Sequence, residues 1–281
     1  LKGKPVIVGG RERGVVAACS YEARKFGIHS GMPSKKALQL CPQLIVSNSS
    51  RADYSRYSRW VTQIIASKAP LFEKASVDEF YIDLSGMEKF FNPLQWTIDL
   101  RQEIIDETHL PISFGLASNK MMAKIATNEA KPNGYLQVPF GKEKEFLAPL
   151  AVNKIPGVGD HTHEILKSMG IVTIKDISER TQEELEERLG KWGIDLWNKS
   201  HGIHHGVVSQ YHEAKSVSSE NTFPLFPSDI FLRDSSLCFF PVLAADTFAL
   251  VSSECLNPLA YWLPIRLAFI FSLVSTDAVF P

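Results

Sequence analysis

Lysine is absent beyond Phe223, and most other charge goes with it: residues 224–281 carry only Asp229, Arg233, Asp234, Asp246, Glu254, Arg266 and Asp277. That segment belongs to a different compositional population from residues 1–223, where 28 bases stand against 26 acids. A formal net charge of −1 excludes a protein that coats nucleic acid over its whole surface, although the total averages two unlike regions. No run of 18 apolar residues occurs, because Arg266 interrupts the most apolar stretch, and no charged segment followed by an apolar core opens the chain. Neither membrane spanning nor secretion is therefore expected. Four cysteines, Cys19, Cys41, Cys238 and Cys255, form no CxxC pair and no regular framework. That fits a reducing compartment, and a cytoplasmic protein is expected. There is also no initiator Met: the sequence starts abruptly with Leu1-Lys-Gly-Lys-Pro-Val-Ile-Val-Gly-Gly10, a turn and one buried-type strand, and reads as the middle of something longer.

With 44% apolar residues over 281 positions, the chain can bury a sizeable core, and its length suggests about two domains. Val15 to Ser20 reads as a short strand, Tyr21 to Phe26 as a turn or two of helix stopped by Gly27, and Pro33 to Leu40 as a helix ended before Pro42. Tyr54, Tyr57, Trp60, Val61, Ile64 and Ile65 recur at helical spacing, predicting a helix over Arg51 to Ala69. Two β-type segments, Phe72 to Val77 and Phe80 to Leu84, predict a hairpin with Asp78-Glu79 at its bend. Leu94 to Thr108 reads as an amphipathic helix, Ile112 to Ser118 as a strand and Lys120 to Glu129 as a helix stopped by Lys131-Pro-Asn-Gly134. From Leu147 to Ile203 the pattern is wholly helical, with Val172 to Ile174 the only strand candidate. The fold class is α+β, with a boundary near 140 to 150.

Adjacent carboxylates between apolar strands are costly unless they sit at a rim or bind cations. Asp78 and Glu79 fit the needs of two Mg²⁺ ions and a triphosphate: hard oxygen ligands, few in number, with positions left for water and phosphate. A solvated hairpin tip would look the same. Asp83 shares a strand face with Glu79 but lies about 13 Å along it, too far to share one ion. Ile155-Pro-Gly-Val-Gly-Asp160 ahead of a helix matches the helix-hairpin-helix pattern, in which glycine backbone N–H groups approach a DNA phosphate without reading sequence; a tight interhelical turn is the plainer alternative. Tyr21, Arg24 and Lys131, each taken alone, are ordinary surface residues. His201, His204, His205 and His212 have no cysteine nearby and no acid at a matching interval, so a metal site is not expected there. Gly9-Gly10 lacks the lysine of a phosphate-binding loop.

Taken in order, the blocks Leu1 to Gly10, Ser20-Tyr-Glu-Ala-Arg-Lys-Phe-Gly27, Ala75-Ser-Val-Asp-Glu-Phe-Tyr-Ile-Asp-Leu84, Ser118-Asn-Lys-Met-Met-Ala-Lys-Ile-Ala126, Lys131-Pro-Asn-Gly134 and Ile155-Pro-Gly-Val-Gly159 resemble the Y-family DNA polymerases, particularly their bacterial DNA polymerase IV branch. The resemblance spans roughly residues 1 to 222. It implies fingers over 1–49, a catalytic palm over 50–138 and a helix-hairpin-helix thumb over 139–211, with 212–281 a linker and an unrecognisable tail. It further implies template-directed transfer of nucleotides from dNTPs to a primer, in translesion synthesis. Asp78 and Glu79 would be the metal-binding and catalytic carboxylates, with two Mg²⁺ ions as cofactors. Tyr21, Arg24 and Lys131 would contact the incoming triphosphate, and Gly157, Val158 and Gly159 would track primer-template DNA. A monomer is expected, and a sliding clamp is a further partner of the family, although the usual clamp-binding tail is not recognisable.

Three departures stand out. The family's N-terminal strand, with another metal-binding aspartate and an aromatic that screens out ribonucleotides, would precede Leu1. Ala18 replaces a hydroxyl residue near the triphosphate, so that contact is missing or made by Ser20. After Phe223 the family continues into a basic β-rich domain, and a lysine-free segment cannot supply its phosphate contacts; a frame-shifted tail is the expectation. A DNA-binding remnant unable to polymerise, or a palm-fold nucleotide cyclase, are the other readings of the same residues.

Overall fold

Strand β6 (Ile112–Ala117) is buried at all six positions, which requires cover on both faces, and the architecture is organised around that strand. The computed structural model describes residues 1–10, 14–47, 51–210, 216 and 268–273. The chain divides into two units, 1–211 with 264–281, and 212–263. Of the second unit only Ser216 is described, and the account below is of the first.

The N-terminal part is a small sheet in the order β2-β1-β3, where β1 is Val6–Gly9, β2 is Val16–Cys19 and β3 is Ile45–Ser47. β1 runs antiparallel to β2 and parallel to β3. Helices α1 (Tyr21–Arg24) and α2 (Ser34–Leu40) complete its core through Ala23 and Ala37, packed with Ile7, Val16, Cys19, Ile28 and Cys41. Ser20 starts α1. Its hydroxyl accepts from the amides of Ala23 (3.2 Å) and Val6 (3.0 Å) and donates to the carbonyl of Lys4 (3.1 Å).

The larger sheet has the order β4-β5-β8-β6-β7, with β4 Phe72–Lys74, β5 Glu79–Asp83, β7 Tyr135–Gln137 and β8 Ala268–Leu273. Helices α3 (Arg51–Lys68) and α4 (Pro93–Thr108) cover one face: Val61, Ile65, Leu100 and Ile104 pack on Phe80, Ile82, Ile112, Phe114 and Leu116. Because successive strand residues face opposite ways, Ser113, Gly115 and Ala117 look the other way, towards α5 (Lys120–Ala130). Gly115 lets α5 come close, since a Cβ there would meet Thr127 N at 2.6 Å and Ala126 Cβ at 2.7 Å. Helices α6 (Glu143–Leu147), α7 (Asp160–Ser168), α8 (Ile174–Ser178), α9 (Gln182–Leu189) and α10 (Lys191–Ser200) follow. Their core, with Leu147, Ile155, Leu166, Ile177, Leu185 and Leu196, is continuous with Met121, Met122 and Ile125 of α5. Reciprocal caps by Thr173 with Asp176 and Thr181 with Glu184 set the starts of α8 and α9.

Three expectations are corrected. Val172 to Ile174 forms no strand; one isolated bridge, Ala151 to Thr173, is all that the segment makes, because Thr173 is used to cap α8. The acid pair does not sit wholly in a bend: Glu79 is the first residue of β5, its carbonyl accepting from the amides of Ala75 (3.0 Å) and Ser76 (3.3 Å), while Asp78 stays in the turn. Within the tail, where the sequence suggested no element, Ala-Phe-Ile-Phe-Ser-Leu forms β8, antiparallel to both β5 and β6. Such a short, aromatic-rich run has strand propensity, but nothing local says which sheet it joins. The remainder of 217–281 lies outside the described residues, as does the frame-shift expectation that falls on it.

Candidate functional site

The face of β5 turned away from α3 and α4 carries Glu79, Tyr81 and Asp83, and Glu73 of β4 is the register partner of Tyr81. α5 lies beside this face and sends two lysines over it. Lys120 Nζ donates to both oxygens of Glu73 (2.7 and 2.6 Å) and to the carbonyl of Val207 (3.2 Å), and it sits 4.7 Å from the centre of the Tyr81 ring. Glu73 also accepts from the amide of Ser209 (2.9 Å), so the segment after α10 is fastened to the sheet. Burial, then Glu79 and Glu73, push the Tyr81 phenol well above its usual range. Lys124 Nζ makes the second pair, donating to both oxygens of Glu79 at 3.0 and 2.8 Å.

Asp78 is oriented by a local turn. Ser76 Oγ donates to Asp78 Oδ1 (2.6 Å) and accepts from the amides of Asp78 (3.3 Å) and Glu79 (3.1 Å). Lys131, just past the end of α5, donates to Asn128 Oδ1 (3.0 Å). Burial lowers its pKa most, the charges of Glu79 and Asp78 raise it, and Lys124 and Arg24 lower it. The structure thus brings Asp78, Glu79, Lys131 and Arg24 into one electrostatic neighbourhood. Tyr21 joins it through Arg24, whose guanidinium lies 5.2 Å from the Tyr21 ring centre. Arg101 of α4 fixes the turn after Lys131, donating to Asn133 O (2.9 Å), Asn133 Oδ1 (2.6 Å) and Ile112 O (2.7 Å). Asp83 plays no part, its Oδ1 accepting from the amide of Ser85 (2.9 Å). Ser20, suggested in compensation for Ala18, is buried with its hydroxyl engaged by Val6, Ala23 and Lys4.

The second place of interest is the hairpin before α7. Gly157 has φ +98°, a conformation that suits glycine, and Gly157 and Gly159 are exposed while Val158 packs on the helical core. Lys199 donates to the carbonyl of Pro156 (3.2 Å) and pairs with Asp195 (2.8 Å), steadying the hairpin from α10. The histidines are used locally: His201 Nδ1 lies 2.9 Å from Trp197 O, and burial lowers the pKa of His204. Among the described residues no group of three or more His, Cys, Asp or Glu is disposed to hold a metal ion; His212 lies outside them. No helix among them is long and apolar enough to cross a membrane.

Sequence reasoning missed Lys120, Lys124, Glu73 and Arg101. The one available signal was the i, i+4 spacing of Lys120 and Lys124, which puts both on one helix face; nothing local marks their partners 45 and 47 residues away.

Residues 1–128 match the impB/mucB/samB family, and residues 153–204 match the thumb domain family of DNA polymerase-iota. DNA polymerase IV of Shewanella loihica is 37% identical over 255 residues, covering 90% of this chain and 70% of that protein. The chain belongs to the Y-family DNA polymerases. DNA polymerase IV of Dehalococcoides mccartyi is 43% identical over 226 residues, 79% of this chain, and this Y-family chain spans 58% of that relative's length. The Shewanella match reaches past Phe223, into the segment with no recognisable family block. Among solved structures, DinB from Sulfolobus solfataricus is 31% identical with a TM-score of 0.69, over 74% of this chain and 63% of that one. The insertion ternary complex of Dbh DNA polymerase is 31% identical with a TM-score of 0.67, over 74% and 62%. Y-family polymerases are metal-dependent. The donor set here fits a divalent cation: two adjacent carboxylates with oxygen donors only, one of them already holding a cationic group at ion-pair distance.

Proposed function

We propose that this chain performs DNA-directed DNA synthesis of the translesion type, transferring nucleotides from dNTPs to a primer 3′-hydroxyl, with 1–49 as fingers, 50–138 as palm and 139–211 as thumb. The observation that carries this is that Asp78 and Glu79 stand side by side at the start of β5 and that both, together with Arg24, act electrostatically on Lys131. Asp78 and Glu79 hold the divalent cations, Mg²⁺ and two in number. When bound, these supply charge neutralisation at the phosphates and a lowered pKa at the attacking hydroxyl. Arg24, with its planar fork steadied on Tyr21, and Lys131, within the field of both carboxylates, offset the negative charge of the triphosphate as the 3′-hydroxyl attacks the α-phosphorus and pyrophosphate departs. The depressed pKa of Lys131 is consistent with a half-buried ammonium that gains from an anionic ligand. Gly157, Val158 and Gly159 present backbone to the phosphates of primer-template DNA, independent of sequence. A small two-helix fingers part leaves the site open to a damaged template base, and the cytoplasm is the proposed location.

One observation favours a second reading. The described residues offer two carboxylates at the site and no third metal-binding group, so a DNA-binding remnant that grips DNA without extending it is the competitor. Single-nucleotide primer extension with Mg²⁺, on this chain and on Glu79→Gln, separates them. Extension by the former and its loss in the latter support polymerisation; primer-template binding without extension by either supports the remnant.

A further inference from the structure

Resting on the reading of Asp78 and Glu79 as the cation-binding pair, we propose that Lys124 is a built-in competitor of the divalent cation: a positioning residue that holds the Glu79 carboxylate in place until the cation displaces its ammonium. Both Glu79 oxygens are engaged by the one Nζ, at 3.0 and 2.8 Å, so a cation that takes either oxygen must move Lys124. The pair is built to exchange. Its side chains are 30% and 22% exposed, against 16% and 6% for the neighbouring Lys120–Glu73 pair, so the ammonium has water to retreat into.

The local charges give the exchange a direction. Lys131 feels the charges of Glu79 and Asp78 on one side and of Lys124 and Arg24 on the other, so the exchange takes place where carboxylates and further cations act together. Moving Lys124 off Glu79 restores two available carboxylates. It also releases an ammonium beside Lys131, where it adds to the positive charge facing an incoming triphosphate. Cation and nucleotide binding are thereby coupled: the ammonium given up by Glu79 is best placed when a polyphosphate is there to receive it.

The test is Mn²⁺ binding to the full chain, read from the electron paramagnetic resonance signal of the unbound ion, with thermal melting in EDTA and in excess Mn²⁺ as a second readout. Lys124→Met should bind Mn²⁺ about five- to tenfold more tightly than the parent, the size expected for removing one partly exposed ion-pair partner. It should also gain more melting temperature from Mn²⁺. Lys124→Arg, which keeps the charge, should stay close to the parent. In a Glu79→Gln background the Lys124→Met gain should vanish, showing that it acts through that carboxylate. Equal or weaker Mn²⁺ binding by Lys124→Met, with the parent binding and Glu79→Gln not, overturns the role of Lys124 alone. Binding by neither parent nor Lys124→Met overturns both this inference and the cation-site reading beneath it. If Lys124→Met does not fold, Lys124→Gln carries the same expectation.

Discussion

Gly115→Ala adds one methyl group to the buried strand that organises the larger sheet, and the structure makes its cost calculable. The new Cβ would lie 2.6 Å from Thr127 N, 2.7 Å from Ala126 Cβ and closer still to the Ala123 carbonyl oxygen. Two of these three are main-chain atoms of α5, which cannot rotate away, so either the helix or the strand must move. Overpacking of this kind costs about 1–3 kcal/mol, and the contacts here place it at the upper end. Alanine recovers about 0.5–1 kcal/mol in a strand relative to glycine, leaving a net loss of about 2 kcal/mol. Displacing α5 would also carry Lys120 and Lys124 away from Glu73 and Glu79, so cation binding should weaken together with stability. Urea denaturation, comparing midpoints at unchanged slope, measures the loss. Gly159→Ala is the control: it has ordinary φ and open space around its Cβ, so it meets no clash and should lose only the smaller advantage of glycine over alanine at the start of α7. If Gly115→Ala falls within about 0.5 kcal/mol of the parent, the range of an uneventful surface substitution, the close approach of α5 to β6 is refuted.

Glu73→Gln leaves Lys120 facing a neutral partner in a nearly buried setting; a loss of about 2–3 kcal/mol, just below the range for breaking a fully buried pair, should appear in the same denaturation experiment. Asp160 puts an acid at the first position of α7, beside the hairpin proposed to meet DNA phosphates. Asp160→Asn should therefore tighten primer-template binding a few-fold in fluorescence anisotropy at low salt, with the gain shrinking as salt rises, and cost a few tenths of a kcal/mol of helix stability. Backbone hydrogen bonds from Thr173 and Val172 lower the Asp176 pKa below its unfolded value. The unfolded chain then binds the proton more readily, so the stabilisation is present above the ordinary carboxylate pKa and is lost as pH falls through the lower folded value. Asp176→Asn should flatten that acid limb by lowering stability at pH 7 towards its acid value, a modest loss because the carboxylate is partly exposed.

The first two strands, the hairpin of β4 and β5, the helices from α3 to α5 and the helical region beyond α6 were legible from their apolar periods and from stop signals at Gly or Pro, whereas the three-residue strands β3 and β7 are too short to show a period. Asp78, Glu79, Arg24 and Lys131 were legible as residues but not as a site. Their convergence depends on how α1 and the end of α5 approach the sheet, which no local pattern encodes. Arg101 was invisible for the same reason, since its three carbonyl and amide partners lie 11 and 32 residues away. β8 shows the limit most clearly. Its six residues advertise a strand, but the place it takes between β5 and β6 is a property of the sheet and not of the segment.

The two lysines of α5 show how one geometric match yields both a fixed joint and a replaceable one. Four residues of helix advance about 6 Å, and the two-residue step from Glu79 to Tyr81, whose partner across the hairpin is Glu73, advances nearly the same distance along the strand. The spacing lets Lys120 and Lys124 meet Glu73 and Glu79 simultaneously, so α5 is registered on the hairpin by two ion pairs at once. What separates their roles is water. Glu73, buried and further tied to Ser209, cannot exchange its partner without leaving a stranded charge, so that pair keeps its geometry. Glu79, at the open start of β5, is the carboxylate proposed to exchange its partner, and its partial exposure makes that cost small. A carboxylate that must be held in place and yet release its counter-ion to a metal belongs at the wetter of the two positions, next to one that never lets go.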